Sequence, residues 1–281
     1  MNKIFLLLII GSCFFFSGCI KNNPNPSWVE INEFTVESNP QLTEGELGHH
    51  GFTNGWVYIN DKFIGTFELP CKIPVLVTGQ ATIRVYPTII NNGISATKKN
   101  YPFTEAYEET VELKMDETVT INPVTRYMTG TTFWIEDFQG GNVKLDQGSN
   151  STASAQVVSD ENNSNLYYKI DVNSTQSIWT AYTNEPLSFP LGSQIYLEFE
   201  CNNSAPLKTL FMYGKTDGTI TEQYNITVTT ANSGWKKAYI ELTELVANSG
   251  GYLFWSGFEF SLPEGQSNAT VLIDNIKIVY R

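Results

Sequence analysis

Apolar and polar residues alternate in short runs over most of this chain, and turn residues separate the runs. The segment 56–59 (WVYI) alternates with a period of two, which is typical of a half-buried β-strand. Asn60-Asp61 predicts a tight turn after it, and 62–67 returns as a second strand. The same pattern predicts a hairpin from 75–78 and 81–86 through the turn 79–80, and then strands at 108–113 and 118–122.

The second half of the chain repeats the pattern with longer runs and no helical period. Its predicted strands are 133–138, 166–172, 195–200, 209–213, 224–229, 235–242, 252–262 and 269–280. The segment 123–130 is the predicted linker between the two halves. These patterns predict an all-β protein of two tandem β-sandwich domains, at 28–127 and 131–281.

Composition limits the classes of partner. The 281 residues carry a formal net charge of −12, and 13% of them are aromatic. An acidic chain is poorly suited to nucleic acid, because phosphate binding depends on Lys and Arg. It is also repelled by anionic lipid head groups, so a basic membrane-binding face is not expected. The abundant aromatic residues favour strands.

The N-terminus carries an apolar run at 4–16 that is too short to span a bilayer and fits a signal peptide. It ends in Phe16-Ser17-Gly18-Cys19, which resembles the lipobox of bacterial lipoproteins, with Phe16 where Leu is more usual. This resemblance implies a signal peptide at 1–18, cleavage before Cys19, lipid (palmitate-type) modification of Cys19, and a polar tether at 19–27. The implied location is the outer membrane of a Bacteroidota-like bacterium, and both its periplasmic face and the cell surface remain open.

Both halves resemble known β-modules. The order of strand, short turn, Ile64-Gly65, Pro70 and a second hairpin resembles a PEGA-type (Ig-like) β-sandwich, although Asp61-Lys62 replaces the usual Asp-Gly. The second half opens with an E-D-F sequence, contains GWKKAYIEL at 234–242, and closes with LIDNIKI at 272–278. These sequences resemble the jelly-roll carbohydrate-binding modules of the galactose-binding-like superfamily.

No catalytic residues are predicted. His49 and His50 are the only histidines, and no nucleophile motif accompanies them. Acidic residues at 198, 200, 241 and 259 alternate with apolar ones, which is typical of a solvated sheet face rather than of a glycosidase carboxylate pair. Cys71 and Cys201 are expected to be separate buried thiols.

The sequence suggests two kinds of non-catalytic site. The jelly-roll resemblance implies a structural calcium site formed by Glu136, Asp137 and Asp274, since calcium prefers oxygen ligands from several segments; the alternative is unpaired acids at a sheet edge. Exposed aromatic rings could pack on the apolar faces of sugars, and the candidates are Trp179, Tyr182, Tyr213 and Trp255. Of these, Trp179 and Tyr182 are expected to be the most exposed.

Two functions remain open at this point. In the first, the protein is a lipid-anchored accessory or interaction subunit of a cell-envelope complex, held to the membrane by its lipid. In the alternative, it is a glycan-binding lipoprotein that captures polysaccharide with its jelly roll. The sequence slightly favours the first, because no motif defines a sugar site and a shared fold does not fix function.

Overall fold

The computed structural model describes residues 25–42, 50–159, 165–231 and 234–281. The predicted signal peptide and Cys19 lie outside the described residues. Those residues form 21 strands and one short helix, which confirms the all-β, tandem-sandwich prediction. None of the described helices is long and apolar enough to cross a membrane.

The first half of the chain forms ten strands. They are β1 (Ser27–Ile31), β2 (Thr35–Glu37), β3 (Asn54–Ile59), β4 (Lys62–Glu68), β5 (Cys71–Val75), β6 (Gly79–Ile90), β7 (Lys98–Asn100), β8 (Tyr107–Leu113), β9 (Thr118–Ile121) and β10 (Val124–Arg126). One sheet has the order β5-β1-β9, another has the order β4-β3-β6-β7 with β8 also on β6, and β2 pairs with β10. We call this half the first sandwich.

The turn between β3 and β4 is confirmed, because Asn60 and Asp61 both adopt left-handed backbone angles, with φ values of 49° and 60°. The predicted hairpin from 75–78 and 81–86 is wrong. The strand β5 pairs instead with β1 in the other sheet. Strand β6 already has β3 on one edge and β8 on the other, so no edge is left for β5 along most of its length.

The second half forms eleven strands. They are β11 (Thr132–Glu136), β12 (Leu145–Gln147), β13 (Ala155–Ser159), β14 (Leu166–Asn173), β15 (Ile178–Thr183), β16 (Ile195–Asn203), β17 (Leu207–Gly214), β18 (Ile220–Val228), β19 (Lys236–Glu241), β20 (Leu253–Ser261) and β21 (Asn268–Tyr280). The six-stranded sheet has the order β13-β14-β21-β16-β19, with β11 also on β21. The five-stranded sheet has the order β12-β15-β20-β17-β18. We call this half the second sandwich.

The second sandwich encloses an apolar core between its two sheets. Phe199 of the six-stranded sheet meets Phe258 of the five-stranded sheet edge to face, with ring centroids 5.0 Å apart. A helix, α1 (Thr243–Ser249), follows β19 and ends at Gly250, whose φ of 67° suits a left-handed helix cap. The prediction of a helix-free domain is wrong here, because seven residues are too few to show a helical period.

The two sandwiches share a buried junction. Aromatic side chains of the second sandwich, including Phe133, Tyr196 and Tyr239, belong to the apolar core of the first. The predicted linker at 123–130 is wrong in part, because Val124–Arg126 is a strand paired with β2. The predicted domain boundaries and the PEGA resemblance stay predictions.

Candidate ligand-binding face

The five-stranded sheet of the second sandwich turns one face to the core and the other to solvent. Strand β15 shows the division, because Trp179 and Ala181 are buried in the core while Tyr182 lies on the outer face. Trp179 is completely buried, and its ring lies 5.9 Å from that of Tyr168 in an edge-to-face contact. The expectation that Trp179 is exposed is therefore wrong: its neighbours Thr180 and Thr183, whose polarity suggested exposure, are buried too.

Three aromatic residues share the outer face, and we call them the aromatic platform: Tyr182, Tyr224 and Trp255. Their strands, β15, β18 and β20, are held together by the ladders that β17 and β20 form. Tyr182 and Trp255 are half-buried, and Tyr224 has 61% of its surface exposed. The platform therefore offers apolar ring surface to solvent from three neighbouring parts of one sheet.

A glycine makes room for the Tyr182 ring of the platform. A Cβ placed on Gly257, the cross-strand partner of Tyr182, would lie 2.6 Å from the Tyr182 ring. A Cβ on Gly214 would lie 3.6 Å from the Trp255 indole. The Tyr182 ring thus lies over a position that only glycine leaves open, whereas the Trp255 indole makes ordinary van der Waals contact with Gly214.

Charged groups surround the rings, and two glutamates accept hydrogen bonds from the two tyrosine hydroxyls. The Tyr182 hydroxyl donates to Oε2 of Glu222 at 2.6 Å, and the Tyr224 hydroxyl donates to Oε2 of Glu259 at 2.9 Å. Lys208 donates to Oε1 of Glu259 at 2.6 Å, and its ammonium lies 4.8 Å from the centre of the Tyr224 ring. Because Glu259 is only 5% exposed, the prediction that it belongs to a solvated face is wrong.

The pKa shifts of the platform have physical causes in these contacts. Burial, followed by the hydrogen bond to Glu222, raises the pKa of Tyr182 well above its ordinary value. The hydrogen bond to Glu259 raises the pKa values of both Tyr224 and Lys208. At neutral pH the tyrosines are therefore protonated donors and Lys208 is an ammonium group.

Residues Tyr224, Glu222 and Lys208 were missed at the sequence level. A signal existed in the alternation of β18, where Glu222 and Tyr224 fall on one face and Gln223 on the other. It could not be used without knowing which face of this strand lies outward. Of the other predicted candidates, Trp255 lies on the platform, whereas Tyr213 lies elsewhere, in contact with Phe211 of the same strand, at a centroid distance of 5.9 Å.

The residues predicted to bind calcium lie near the junction of β11 and β21. Glu136 Oε1 accepts the backbone N–H of Phe138 at 2.6 Å, and Oε2 accepts the backbone N–H of Lys144. Asp274 accepts Asn275 N at 2.7 Å and Asn165 Nδ2 at 2.8 Å.

Asp137 accepts Gln139 N at 3.1 Å. In the part of the chain that the structure describes, no group of three or more acidic, His or Cys residues is placed to hold a metal ion. N–H donors point at the carboxylate oxygens of Glu136 and Asp274, so these contacts give no support to a calcium site, which stays a prediction. Glu136 and Asp274 are buried and bound to the local backbone, so the alternative of unpaired acids at a sheet edge is wrong for them.

The two cysteines of the described residues are both free thiols. Cys201 is buried, and burial raises its pKa to about 12, whereas Cys71 is half-buried with its pKa raised by the same cause. A buried thiol of this kind behaves as a small apolar group. Cys201 therefore contributes to packing, while Cys71 is less enclosed than the sequence predicted.

Similar folds occur among solved structures, although no protein-family model and no curated protein matches this sequence. The CBM22-2 xylan-binding domain of Paenibacillus barcinonensis is 15% identical, with a TM-score of 0.40, over 53% of this chain and 99% of that one. A family 11 carbohydrate-binding module of a Clostridium thermocellum cellulosomal cellulase is 13% identical, with a TM-score of 0.37, over 52% and 94%. A family 29 carbohydrate-binding module complexed with mannohexaose is 11% identical, with a TM-score of 0.36, over 53% and 92%. At this level of similarity, these resemblances do not establish a shared ligand.

Proposed function

We propose that this protein binds glycan chains, and that the chain packs on the aromatic platform of Tyr182, Tyr224 and Trp255. The single observation that carries the proposal is the arrangement of these rings on one outer sheet face. Sugar rings present C–H groups that are slightly positive, and these pack well on the negative faces of aromatic rings. The Tyr182 ring packs closely over Gly257 and its hydroxyl is bound to Glu222, so little freedom of this side chain is lost on binding.

Polar groups of the platform lie beside the rings. Glu222 offers an acceptor and Lys208 offers a donor next to the rings, while the buried Glu259 holds Lys208 and Tyr224 in place. Sugar hydroxyls both donate and accept, so a mixed set of this kind can fix the orientation of a stacked chain. The platform is therefore built for a ligand with apolar faces and hydroxylated edges.

This proposal reverses the order of the two functions left open by the sequence. The platform supports a glycan-binding role, and we therefore place this role before that of an interaction subunit. Binding is also a non-catalytic role, in keeping with the sequence prediction. We extend the proposal to a lipid anchor at Cys19 that holds the platform near the outer membrane. Replacement of Cys19 by Ala should then remove palmitate labelling and release the protein from the membrane fraction.

Retention in native gels containing soluble polysaccharides tests the proposal. Xylan, mixed-linkage glucan, glucomannan and starch provide a range of linkages and sugars. We expect at least one to retard the purified chain, and Trp255→Ala or Tyr182→Ala to weaken its binding by at least about tenfold, or ~1.4 kcal/mol. Trp235→Ala is the matched control, because that ring is 42% exposed but lies off the platform.

The melting temperatures of all variants are measured beside binding. A loss of binding with a native melting temperature assigns the ring to the ligand. The proposal fails if no polysaccharide retards the protein, or if both platform variants bind like the wild type.

A further inference from the structure

A concave site lies on the opposite side of β18 from the aromatic platform. It is a cleft of about 380 Å³ between the edge of β18, the edge of β19 and helix α1. Gln223 and Asn225 line it because they alternate with the outward-facing Glu222 and Tyr224. Its volume falls at the low end of the range of about 300–1,000 Å³ that small-molecule pockets occupy. We call it the inter-sandwich cleft.

The first sandwich contributes one wall of this cleft through Asn92. The backbone N–H of Asn92 donates to the carbonyl of Tyr239 at 2.8 Å, and its side-chain Oδ1 accepts the N–H of Glu241 at 2.9 Å. Oε2 of Glu241 in turn accepts hydrogen bonds from Lys99 Nζ at 2.5 Å and from Asn91 Nδ2 at 2.9 Å. The cleft therefore exists only where the two sandwiches meet, and its shape is fixed by hydrogen bonds across that junction.

Several polar side chains of the cleft, among the described residues, have polar atoms without a hydrogen-bond partner in the protein. Asn225 Nδ2 is buried and has no hydrogen-bond partner. A buried amide without a partner is costly, and native structures contain few of them. Among the described residues, Gln223 and Glu244 also line the cleft without a side-chain hydrogen bond, and the hydroxyl of Tyr213 has none. These groups are free to bind a ligand.

We propose that the inter-sandwich cleft binds a small hydroxyl-rich ligand, one or two sugar units in size. Amide groups supply donors and acceptors, Glu241 and Glu244 supply acceptors, and the Tyr213 ring supplies one apolar wall. Hydroxyls match this mixture because each of them can donate and accept. The two carboxylates oppose an anionic ligand, and the polar lining opposes a wholly apolar one. The site is independent of the aromatic platform.

Saturation-transfer NMR and calorimetry on the full chain test this site. The probes are free glucose, galactose, xylose, N-acetylglucosamine and cellobiose. The cleft variants are Asn225→Leu and Gln223→Leu, which keep similar volume but remove the amide groups. The double variant Tyr182→Ala with Trp255→Ala removes the platform and leaves the cleft intact. Melting temperatures show whether each variant folds.

We expect at least one probe to bind the wild type and the platform double variant alike, and each cleft variant to weaken that binding at least tenfold. Asn225→Leu should keep or raise the melting temperature, because it removes a buried amide that lacks a partner. If a polysaccharide gel still retards the platform double variant, the cleft binds sugar units within a polysaccharide chain. If this variant binds only the free probes, the cleft binds free sugars. The proposal is overturned if no probe binds, or if binding survives in both cleft variants.

Discussion

Tyr101 of the first sandwich donates a hydrogen bond to Oε1 of Glu198 on the six-stranded sheet of the second. Both residues are buried, and Oε2 of Glu198 lies 4.0 Å from the ammonium of Lys237 on the neighbouring strand. The rings of Tyr101 and Tyr239 meet edge to face beside this contact, at 5.8 Å between centroids. A sheet face that the sequence predicted to be solvated is therefore enclosed by the first sandwich, and the same junction creates the wall of the inter-sandwich cleft.

Replacement of Tyr101 by Phe should destabilise the protein by about 1.5–3 kcal/mol, because it leaves a buried carboxylate without its donor. Urea unfolding monitored by fluorescence measures this cost. Tyr107→Phe is the matched control, since the Tyr107 hydroxyl donates to Glu109 at 2.7 Å at an exposed site. That change should cost no more than about 0.5 kcal/mol. Equal losses in the free energy of unfolding would show that the buried Tyr101–Glu198 hydrogen bond contributes no more to stability than the exposed Tyr107–Glu109 one.

Lys237 should make stability rise with pH in the alkaline range. Burial, and then the charge of Lys277, lower its pKa in the folded protein from 10.5 to about 8, although Glu198, Glu200 and Asp274 act in the opposite direction. Below pH 8 the lysine is protonated in both states. Between about pH 8 and 10.5 the unfolded chain keeps a proton that the folded protein has released, so the free energy of unfolding increases with pH.

Unfolding of the wild type and of Lys237→Met at pH 7, 8, 9 and 10 isolates this contribution. The wild type should gain roughly 2 kcal/mol over the variant between pH 8 and 10, at about 1.4 kcal/mol per pKa unit. Buried Tyr101 and Tyr239 also have raised pKa values and lower the stability above pH 10, but they do so in both proteins. A difference that does not change with pH would contradict the assignment.

Trp179→Ala should cost about 3–5 kcal/mol, because the indole fills the core between the two sheets of the second sandwich. Any loss of glycan retention in this variant would follow from unfolding and would not mark Trp179 as a ligand contact. The exposed Trp235 provides the comparison, since Trp235→Ala should cost about 1 kcal/mol or less. Chemical denaturation of both variants decides the point, and a Trp179→Ala protein with native stability would contradict the burial argument.

Chelation should leave the melting temperature unchanged, because the oxygens of Glu136 and Asp274 are taken by N–H donors of the chain. By contrast, Glu136→Gln should lower the stability by about 1–3 kcal/mol, since it weakens acceptance of two backbone N–H groups in a buried place. Calorimetry with EDTA and with added calcium measures the first effect. A fall in melting temperature with EDTA that calcium reverses would restore the calcium site implied by the jelly-roll resemblance.

The sequence by itself determined the secondary structure class and many of the strands. The period of two in β3 and the turn at Asn60-Asp61 are local properties, so they could be predicted without tertiary information. Strand β15 was not predicted, and the expectation that both Trp179 and Tyr182 are exposed did not separate its two faces. Helix α1 was missed because it is too short to show its own period, and the pairing of β5 was missed because partner choice depends on distant edges.

Only the tertiary structure decided which faces are covered. Alternation shows that Trp179 and Tyr182 point to opposite sides of their strand, but not which side meets the other sheet. In the same way, Glu198 reads as a solvated residue until the first sandwich packs against it, while Tyr224 becomes part of a platform only when β17 brings it beside β20. The physical reason is that strand periodicity is set by neighbouring residues along the chain, whereas burial is set by surfaces contributed by residues far away in sequence.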